Sequence, residues 1–223
     1  AELPGNNCGG CGFPGCDGLA AAIAAGTAPV NGCPVGGAPV ADKIAAIMGV
    51  ESGSSEKKVA FVKCKGTCDK ATVKYNYYGI DDCHKIADAV PGGGSKGCNY
   101  GCLGSGSCVK ACQFDAIHVV DGVAVVDKEK CVACGKCVAT CPKGLIELVP
   151  YKAEHLVQCS SHDKGPAVKK VCTAGCIGCM KCTKVCHFDA IKVENNVAYI
   201  DQDKCKGCQL CVKECPMGVI HIP

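Results

Sequence analysis

The fold of this chain is decided by two stretches with one pattern, CVACGKCVATCP at residues 131–142 and CKGCQLCVKECP at residues 205–216. A third stretch, CIGCMKCTKVCH at residues 176–187, keeps the cysteine spacing but has His187 where the others have proline. Three thiolates at this spacing wrap one corner of a cubane iron-sulfur cluster, and the fourth reaches a neighbouring cluster. Such stretches therefore come in pairs, and they predict 4Fe-4S clusters.

The chain also contains an internal repeat, the feature that most constrains its architecture. A shift of 74 residues superposes eight cysteines on eight others: Cys98, Cys102, Cys108, Cys112, Cys131, Cys134, Cys137 and Cys141 on Cys172, Cys176, Cys182, Cys186, Cys205, Cys208, Cys211 and Cys215. The sequence FDAI at residues 114–117 recurs at 188–191. One position breaks the pattern, because Ser105 stands where the second copy has Cys179. The chain thus holds two copies of one module.

Disulfides and zinc account less well for the 25 cysteines. A disulfide framework is typical of short secreted chains with an even number of cysteines, whereas this number is odd and no secretory signal is present. Zinc ribbons separate their ligand pairs by a long loop, which these close stretches lack. The spacing therefore favours iron-sulfur clusters.

The composition indicates that bound clusters replace much of the usual apolar core. Aromatic residues make up 4% of the chain and tryptophan is absent. Metal-thiolate bonds then supply folding free energy, and we expect the cluster-free chain to be largely unfolded. Reduced thiolates and oxygen-sensitive clusters indicate a cytosolic, anaerobic setting. The formal charge of +3 predicts no nucleic-acid partner, because each oxidised cluster with its four thiolates carries about −2.

The predicted fold class is α+β, a small helical 4Fe-4S domain followed by two tandem bacterial-type two-cluster ferredoxin modules with short β-hairpins and helices. The predicted segments are an N-terminal 4Fe-4S domain at 1–50, a linker with an additional cluster-binding segment at 51–97, and modules at 98–150 and 151–223. The linker prediction rests on the Ser- and Gly-rich residues 51–56.

Local patterns predict the elements within these segments. Asp17 is the expected cap of an Ala-rich helix that ends at Gly26, and a second helix is expected at 41–48 before Gly49. A strand is expected at 59–62. Hairpins are expected at 117–126 and 191–200, turning at Asp-Gly and Asn-Asn.

The candidate metal ligands are the cysteines, and no residue is predicted to be catalytic. Cross-pairing groups Cys131, Cys134 and Cys137 with Cys112; Cys205, Cys208 and Cys211 with Cys186; and Cys176, Cys179 and Cys182 with Cys215. Cys8, Cys11, Cys16 and Cys33 form one further set.

The remaining cysteines leave alternatives open. Cys102, Cys108 and Cys141 lack the ligand lost at Ser105, and the nearest replacement in sequence is Cys98. Three ligands of a sixth cluster are expected at Cys64, Cys68 and Cys83, with the fourth at Cys98, Cys159 or Cys172. Cys159 and Cys172 resemble Cys83 and Cys98 in spacing. About six 4Fe-4S clusters leave one cysteine free.

Several motifs together resemble a known family: CGGCGFPGC at 8–16 with Cys33-Pro34, VAFVKCKGTC, YGIDDC, NYGCLGSGSCVKAC, FDAI, CSSHDKG and GCIGC. In this combination the chain is similar to the RnfB family of the Rnf complex, the ion-translocating ferredoxin:NAD+ oxidoreductase of anaerobic bacteria, in its multi-cluster clostridial form. The resemblance spans nearly the whole chain.

The resemblance implies that reduced ferredoxin delivers electrons to the ferredoxin-like modules, and that they leave from the N-terminal cluster to membrane subunits that move Na+ or H+. It also implies a place at the cytoplasmic face of the cell membrane, held by other Rnf subunits and by an N-terminal membrane helix that this sequence does not contain. No flavin or nucleotide motif is present, so the chain is expected to be a redox subunit of a translocase that is not catalytic alone.

The residues alone also fit two alternative functions. The repeats fit a polyferredoxin subunit of another anaerobic oxidoreductase such as a hydrogenase. The surplus cysteine fits a cluster-storage or assembly scaffold, which would hold its clusters loosely.

Overall fold

The computed structural model describes residues 2–53, 56–90 and 92–221. Its helices are α1 (Cys16–Ala24), α2 (Gly37–Met48), α3 (Cys83–Ala89), α4 (Ser107–Ala111), α5 (Lys136–Thr140), α6 (Gly165–Val171), α7 (Lys181–Lys184) and α8 (Leu210–Glu214). Its strands are β1 (Lys58–Val62), β2 (Ile117–Val120), β3 (Val123–Val126), β4 (Ile146–Pro150), β5 (Leu156–Val157), β6 (Ile191–Glu194), β7 (Val197–Ile200) and β8 (Ile220–His221). Ser54 and Ser55 of the predicted linker lie outside the described residues. The mixture of short helices and two-stranded sheets is the predicted α+β class.

The N-terminal unit is helical, as predicted, but its first helix begins differently. The N-cap of α1 is Gly15, and the Cys16 amide donates to Oδ1 of Asn7 at 2.8 Å. Asp17, the expected cap, lies inside the first turn, where its charge still favours the positive end of the helix dipole. Helix α2 ends at Gly49 in the left-handed conformation, as predicted, and starts one turn earlier than predicted.

Both predicted hairpins are confirmed. Strands β2 and β3 pair Ile117 with Val126, and β6 and β7 pair Ile191 with Ile200. The turn residues 121–122 and 195–196 all have positive φ, as a type I′ turn requires. Each hairpin braces one pair of short cysteine-bearing helices.

Four short helices carry the cysteine stretches, and each follows a residue with left-handed backbone. These residues are Gly106, Gly135, Met180 and Gln209, at equivalent positions of the repeat. The reversal lets the chain turn from the loop that holds the first two cysteines into the helix that holds the third. Glycine adopts this conformation without strain in the first module, whereas the second module holds two side chains in it.

A second pair of sheets ties distant segments to the modules. Strand β1 pairs antiparallel with β4, from Lys58 opposite Pro150 to Val62 opposite Ile146, and β5 pairs with β8 in the same way. Because β8 is the repeat of β4, strand β5 is the repeat of β1. Each module is therefore completed by a strand that precedes its cysteine stretches in sequence.

Three apolar cores result, one in the N-terminal unit, one in the first module with β1, and one in the second module. Cysteines contribute to all three, as expected for a chain whose cores form around metal sites. Within the described ranges, every helix is too short or too polar to span a bilayer.

Candidate metal centres

Each module brings its paired stretches together. Helix α4 carries Cys108 and leads to Cys112, while α5 carries Cys137 and leads to Cys141. Burial raises the pKa of Cys134, and the nearby thiols of Cys8, Cys112 and Cys131 raise it further. We call the set Cys112, Cys131, Cys134 and Cys137 site 2. Its repeat in the second module, called site 6, consists of Cys186, Cys205, Cys208 and Cys211. The first three of these cysteines neighbour the Cys211 thiol.

A cavity in the second module has four cysteines in its wall. Cys176, Cys179, Cys182 and Cys215 line a space of about 360 Å³. This set, called site 5, is the one that cross-pairing of the stretches predicts. The rest of its wall is mostly apolar, with Val193, Ala198 and Ile220 among its residues.

The equivalent cavity of the first module bears on a ligand that the sequence left open. Cys102, Cys108 and Cys141 line a space of about 420 Å³, and the fourth cysteine in its wall is Cys83, not Cys98. We call this set site 3. Cys98 is the cysteine nearest in sequence that could replace the one missing at Ser105. Helix α3, however, folds back onto α4 and brings Cys83 beside the other three cysteines of the cavity. A packed helix thus places a cysteine that is remote in sequence beside Cys102, Cys108 and Cys141.

A hydrogen-bond network holds Cys83 in this position. The Cys83 amide donates to Oγ of Ser107 at 2.8 Å, and that hydroxyl donates to Oδ2 of Asp82 at 3.0 Å. Oδ1 of Asp82 caps α3 by accepting from the amides of His84 and Lys85 at 3.0 and 3.2 Å. The amide of Lys85 and the hydroxyl of Ser107 lower the pKa of Asp82. One carboxylate and one hydroxyl thus fasten the start of α3 to α4.

A third cavity bears on the other assignment that the sequence left open. Cys64, Cys98, Cys159 and Cys172 line a space of about 400 Å³ between the two modules, and we call them site 4. Of the two cysteines that were predicted to share a cluster with Cys64, neither Cys68 nor Cys83 lines this cavity. Cys83 belongs to site 3, and Cys68 is exposed, with its sulfur against Gly122 at the turn of the first hairpin.

A second repeat in the sequence, with a spacing other than 74 residues, relates two cysteines of site 4. Val62-Lys63-Cys64 recurs as Val157-Gln158-Cys159, each following a strand that pairs with a module. Equivalent amides at 63 and 158 donate to the carbonyls of Leu145 and Val219. By this repeat Cys64 is the counterpart of Cys159, and by the 74-residue repeat Cys98 is the counterpart of Cys172. At the position equivalent to Cys68, the second copy has Asp163.

The N-terminal cysteines occupy the loop before α1 and the turn before α2. Cys16 begins α1, Cys33 is buried, and Cys11 packs against the core that contains Cys33. The amide of Gly36 donates to Sγ of Cys33 at 3.4 Å. Together with Cys8, these cysteines are called site 1.

The electrostatics of the sites fit a cationic metal core. Burial is the main cause of raised thiol pKa values in the sites, and neighbouring thiols raise them further. The pKa is raised to about 11 for Cys108, Cys159, Cys182 and Cys211, and to about 12 for Cys137. Four thiolates together would repel one another without positive charge between them. Iron ions reverse this preference, so binding a cluster must release protons.

Backbone amides also point at the sulfurs. They include those of Ala60 to Cys131, Cys102 to Cys64, Leu145 to Cys141 and Ser161 to Cys159, at 3.3 to 3.4 Å. Such donors stabilise thiolate charge and tune cluster potential. Among the described residues, no three His, Cys, Asp or Glu side chains converge as a single metal ion requires. The cysteines of sites 3, 4 and 5 line three separate cavities, one site to each.

The sites follow one another in a single order. Cys8 of site 1 neighbours Cys134 of site 2, and Cys137 of site 2 neighbours Cys108 of site 3. The amide of Cys102 in site 3 donates to the sulfur of Cys64 in site 4.

The order continues into the second module. Cys159 of site 4 lies beside Cys176 of site 5, whose amide lowers the pKa of the Cys159 thiol and whose thiol raises it. Helices α7 and α8 pack together and each leads from a cysteine of one site to a cysteine of the other, which joins sites 5 and 6. Site 4 is the link between the two modules.

Comparisons with family models identify iron-sulfur domains along the chain. A putative Fe-S cluster domain matches residues 3–35, a 4Fe-4S binding domain matches 124–147, and a 4Fe-4S dicluster domain matches 169–222. These matches cover the cysteines of site 1 and the regular stretches of both modules. The chain therefore binds multiple 4Fe-4S clusters.

Three relatives are similar over almost the whole chain. The B subunit of the Na(+)-translocating ferredoxin:NAD(+) oxidoreductase complex of Acetobacterium woodii is 54% identical over 99% of this chain and 66% of its own length. The B subunit of the ion-translocating oxidoreductase complex of Methanosarcina acetivorans is 49% identical over 99% and 83%. The B subunit of the proton-translocating ferredoxin:NAD(+) oxidoreductase complex of Clostridium ljungdahlii is 44% identical over 98% and 78%. The chain thus spans between 66% and 83% of the length of these relatives.

Proposed function

This chain belongs to the family of B subunits of ion-translocating oxidoreductase complexes, and we propose that it carries electrons from reduced ferredoxin to the membrane subunits of such a complex. The complex would couple ferredoxin oxidation and NAD+ reduction to the movement of Na+ or H+. The chain itself would be a redox subunit, at the cytoplasmic face of the cell membrane, that is not catalytic alone.

The observation that carries the proposal is the unbranched order of sites 1 to 6. A bound 4Fe-4S cluster accepts and gives up one electron at a time. In our assignment every site has four cysteines, so six clusters use all cysteines except Cys68. A store for clusters has no need of such an order, whereas electron transfer between two partners requires it.

We place electron entry at site 6, because its surroundings favour an acidic partner. Cys208 is exposed, so this site reaches the surface. Exposed lysines Lys184, Lys204, Lys206 and Lys213 lie within two residues of its ligands. In the described part of the chain, none of these lysines forms an ion pair with a carboxylate. Their charge is available to steer a negatively charged electron carrier.

We place electron exit at site 1, at the other end of the order. The N-terminal unit exposes apolar side chains at the end of α2, with Ile47 72% and Val50 52% exposed. Neighbouring apolar side chains of this kind mark surfaces that are covered in assemblies. A partner subunit of the complex would cover them and receive the electron.

The test is anaerobic stopped-flow absorbance of the cluster-loaded protein mixed with reduced ferredoxin. We expect rapid bleaching of the cluster band that slows steeply with added salt. Replacing Lys204 and Lys206 together with Gln should slow the reaction several-fold at low salt and flatten its salt dependence. The matched control replaces the exposed Lys57 and Lys58 with Gln and should leave the rate unchanged.

Slow or absent reduction with iron and sulfide content intact would reject ferredoxin as the donor. Copurification with a soluble hydrogenase instead of membrane subunits would favour the polyferredoxin alternative. Transfer of clusters to an acceptor protein within the time of the experiment would favour the scaffold.

A further inference from the structure

One histidine of the second module lies against a cluster ligand. His155, just before β5, has 0% of its surface exposed. Its Nδ1 lies 3.9 Å from Sγ of Cys205, a member of site 6. Its Nε2 is also buried and, among the described residues, has no hydrogen-bond partner.

The two ring nitrogens together favour one tautomer. A neutral imidazole carries one proton, and the nitrogen that carries it needs an acceptor. A proton on Nε2 would leave a buried donor without a partner, which is the more costly and rarer kind of unsatisfied group. A proton on Nδ1 instead points to the Cys205 sulfur. The ring is therefore a donor to that sulfur.

The repeat gives an independent reason to expect a donor at this position. Cys205 is the repeat of Cys131, and His155 is the repeat of Ala60, because β5 is the repeat of β1. In the first module, the Ala60 amide donates to Sγ of Cys131 at 3.3 Å. The second module has an imidazole donor where the first has a backbone donor, at the same place beside the same ligand.

The surrounding chain fixes the position of the histidine. The side-chain amide of Gln202 donates to the carbonyl of His155 at 2.8 Å and to that of Ile200 at 3.1 Å. Gln202 lies three residues before Cys205, so one side chain connects the segment with the histidine to the loop with the ligand. This arrangement holds the ring at the sulfur.

We propose that His155 is a positioning residue whose Nδ1–H hydrogen bond to Cys205 raises the reduction potential of the cluster held at site 6. Reduction adds one electron and one negative charge, and a donor to sulfur stabilises that charge. The importance of this effect for electron entry rests on the proposed function, but the hydrogen bond itself does not. Site 6 would then accept electrons more readily than the same site without the imidazole.

The first test is an EPR-monitored redox titration of the whole cluster-loaded protein. His155→Leu removes the donor, and for one component of the titration we expect the ratio of reduced to oxidised cluster at its original midpoint to fall about tenfold, a shift of about −59 mV for one electron. His155→Asn keeps an N–H donor near the position of Nδ1 and should restore most of the shift. His118→Gln, which changes an exposed histidine of the first module, should leave every component unchanged.

Equal shifts in the Leu and Asn variants would overturn the proposal, because packing and not the hydrogen bond would then set the potential. No shift in the Leu variant, with full iron content, would overturn it as well.

A second test observes the ring nitrogen directly in the wild-type protein. Wild-type protein with ¹⁵N in its histidine rings, partly reduced, should show a ¹⁵N hyperfine coupling in pulsed EPR that is lost in the Asn variant. No such coupling to any reduced cluster in the wild-type protein would reject the hydrogen bond. Because neither test uses ferredoxin, failure here is distinguishable from failure of the proposed donor.

Discussion

Cys64 and Cys68 are four residues apart, yet the structure gives them opposite environments. Cys64 is 8% exposed and lines the site 4 cavity, whereas Cys68 is exposed and lies outside every cavity we describe between cysteines. The sequence predicted both as ligands because both follow the same strand. It could not separate them, since the difference depends on which cysteine meets the segments that bring Cys98, Cys159 and Cys172.

At this scale we expect Cys64→Ser and Cys68→Ser to differ in iron content. Cys64→Ser removes one of four ligands of a buried site and should lower the content by one cluster, about four irons per chain. Cys68→Ser should keep all the iron and sulfide of the wild-type protein. The measurement is iron and acid-labile sulfide per chain after anaerobic purification, with the two variants as controls for each other. An equal loss in both would show that Cys68 is a ligand.

Among the elements, hairpins and cysteine-bearing helices were predictable from the sequence, and the pairing of distant strands was not. The hairpins follow from Asp121-Gly122 and Asn195-Asn196, because turn residues act locally. Strand β1 was expected, but nothing local identifies β4 as its partner. The division of the chain into segments 1–50, 51–97, 98–150 and 151–223 stays a prediction, and β1 pairs across the boundary at residue 98.

Helix α3 shows how an element can be held by a single hydroxyl, and Ser107→Ala tests it. The change leaves the Cys83 amide without its acceptor and Oδ2 of Asp82 without its donor. An unsatisfied buried amide costs about 1–3 kcal/mol, so we expect iron to leave site 3 about tenfold faster. Iron loss to a chelator, followed by absorbance, measures this as one faster phase.

Thr183→Ala is the matched control for that experiment. Thr183 is next to a ligand on a short helix, as Ser107 is, but its hydroxyl donates only to the carbonyl of Met180. It should release iron at the wild-type rate. A Ser107→Ala variant that behaves like Thr183→Ala would contradict the role of Ser107.

For the whole molecule, the sequence suggested the groupings of cysteines in sites 2, 5 and 6, which stay predictions together with the six clusters, but it did not indicate how the modules connect. Site 4 draws its cysteines from four separate segments, so no local spacing reveals it. Only the second repeat, which relates Cys64 to Cys159, could have done so. The order of sites along the molecule likewise comes from packing between units, as the contact between sites 1 and 2 illustrates.

That contact depends on Gly10. A Cβ at this residue would lie 2.7 Å from the carbonyl oxygen of Cys134, so the backbones of the N-terminal unit and the first module approach too closely for any side chain. Gly10→Ala should separate the two units while leaving the ligands of both sites in place. Because electron transfer depends on distance between neighbouring clusters, we expect all clusters to be retained and the one at site 1 to be reduced more slowly than the rest.

Rapid-freeze EPR after mixing with a reductant measures the reduced fraction against time. In the wild-type protein, all clusters whose potential allows the reductant to reduce them should be reduced in one fast phase. In Gly10→Ala, one cluster should be reduced in a separate slow phase and reach the same final reduced fraction. Gly53→Ala is the control, because its added methyl group meets only the side-chain amide of Asn31, at 3.3 Å. A methyl group 2.7 Å from a carbonyl oxygen forces one of the two backbones to move. Identical time courses for the two variants would therefore mean that electrons reach the N-terminal unit by another route.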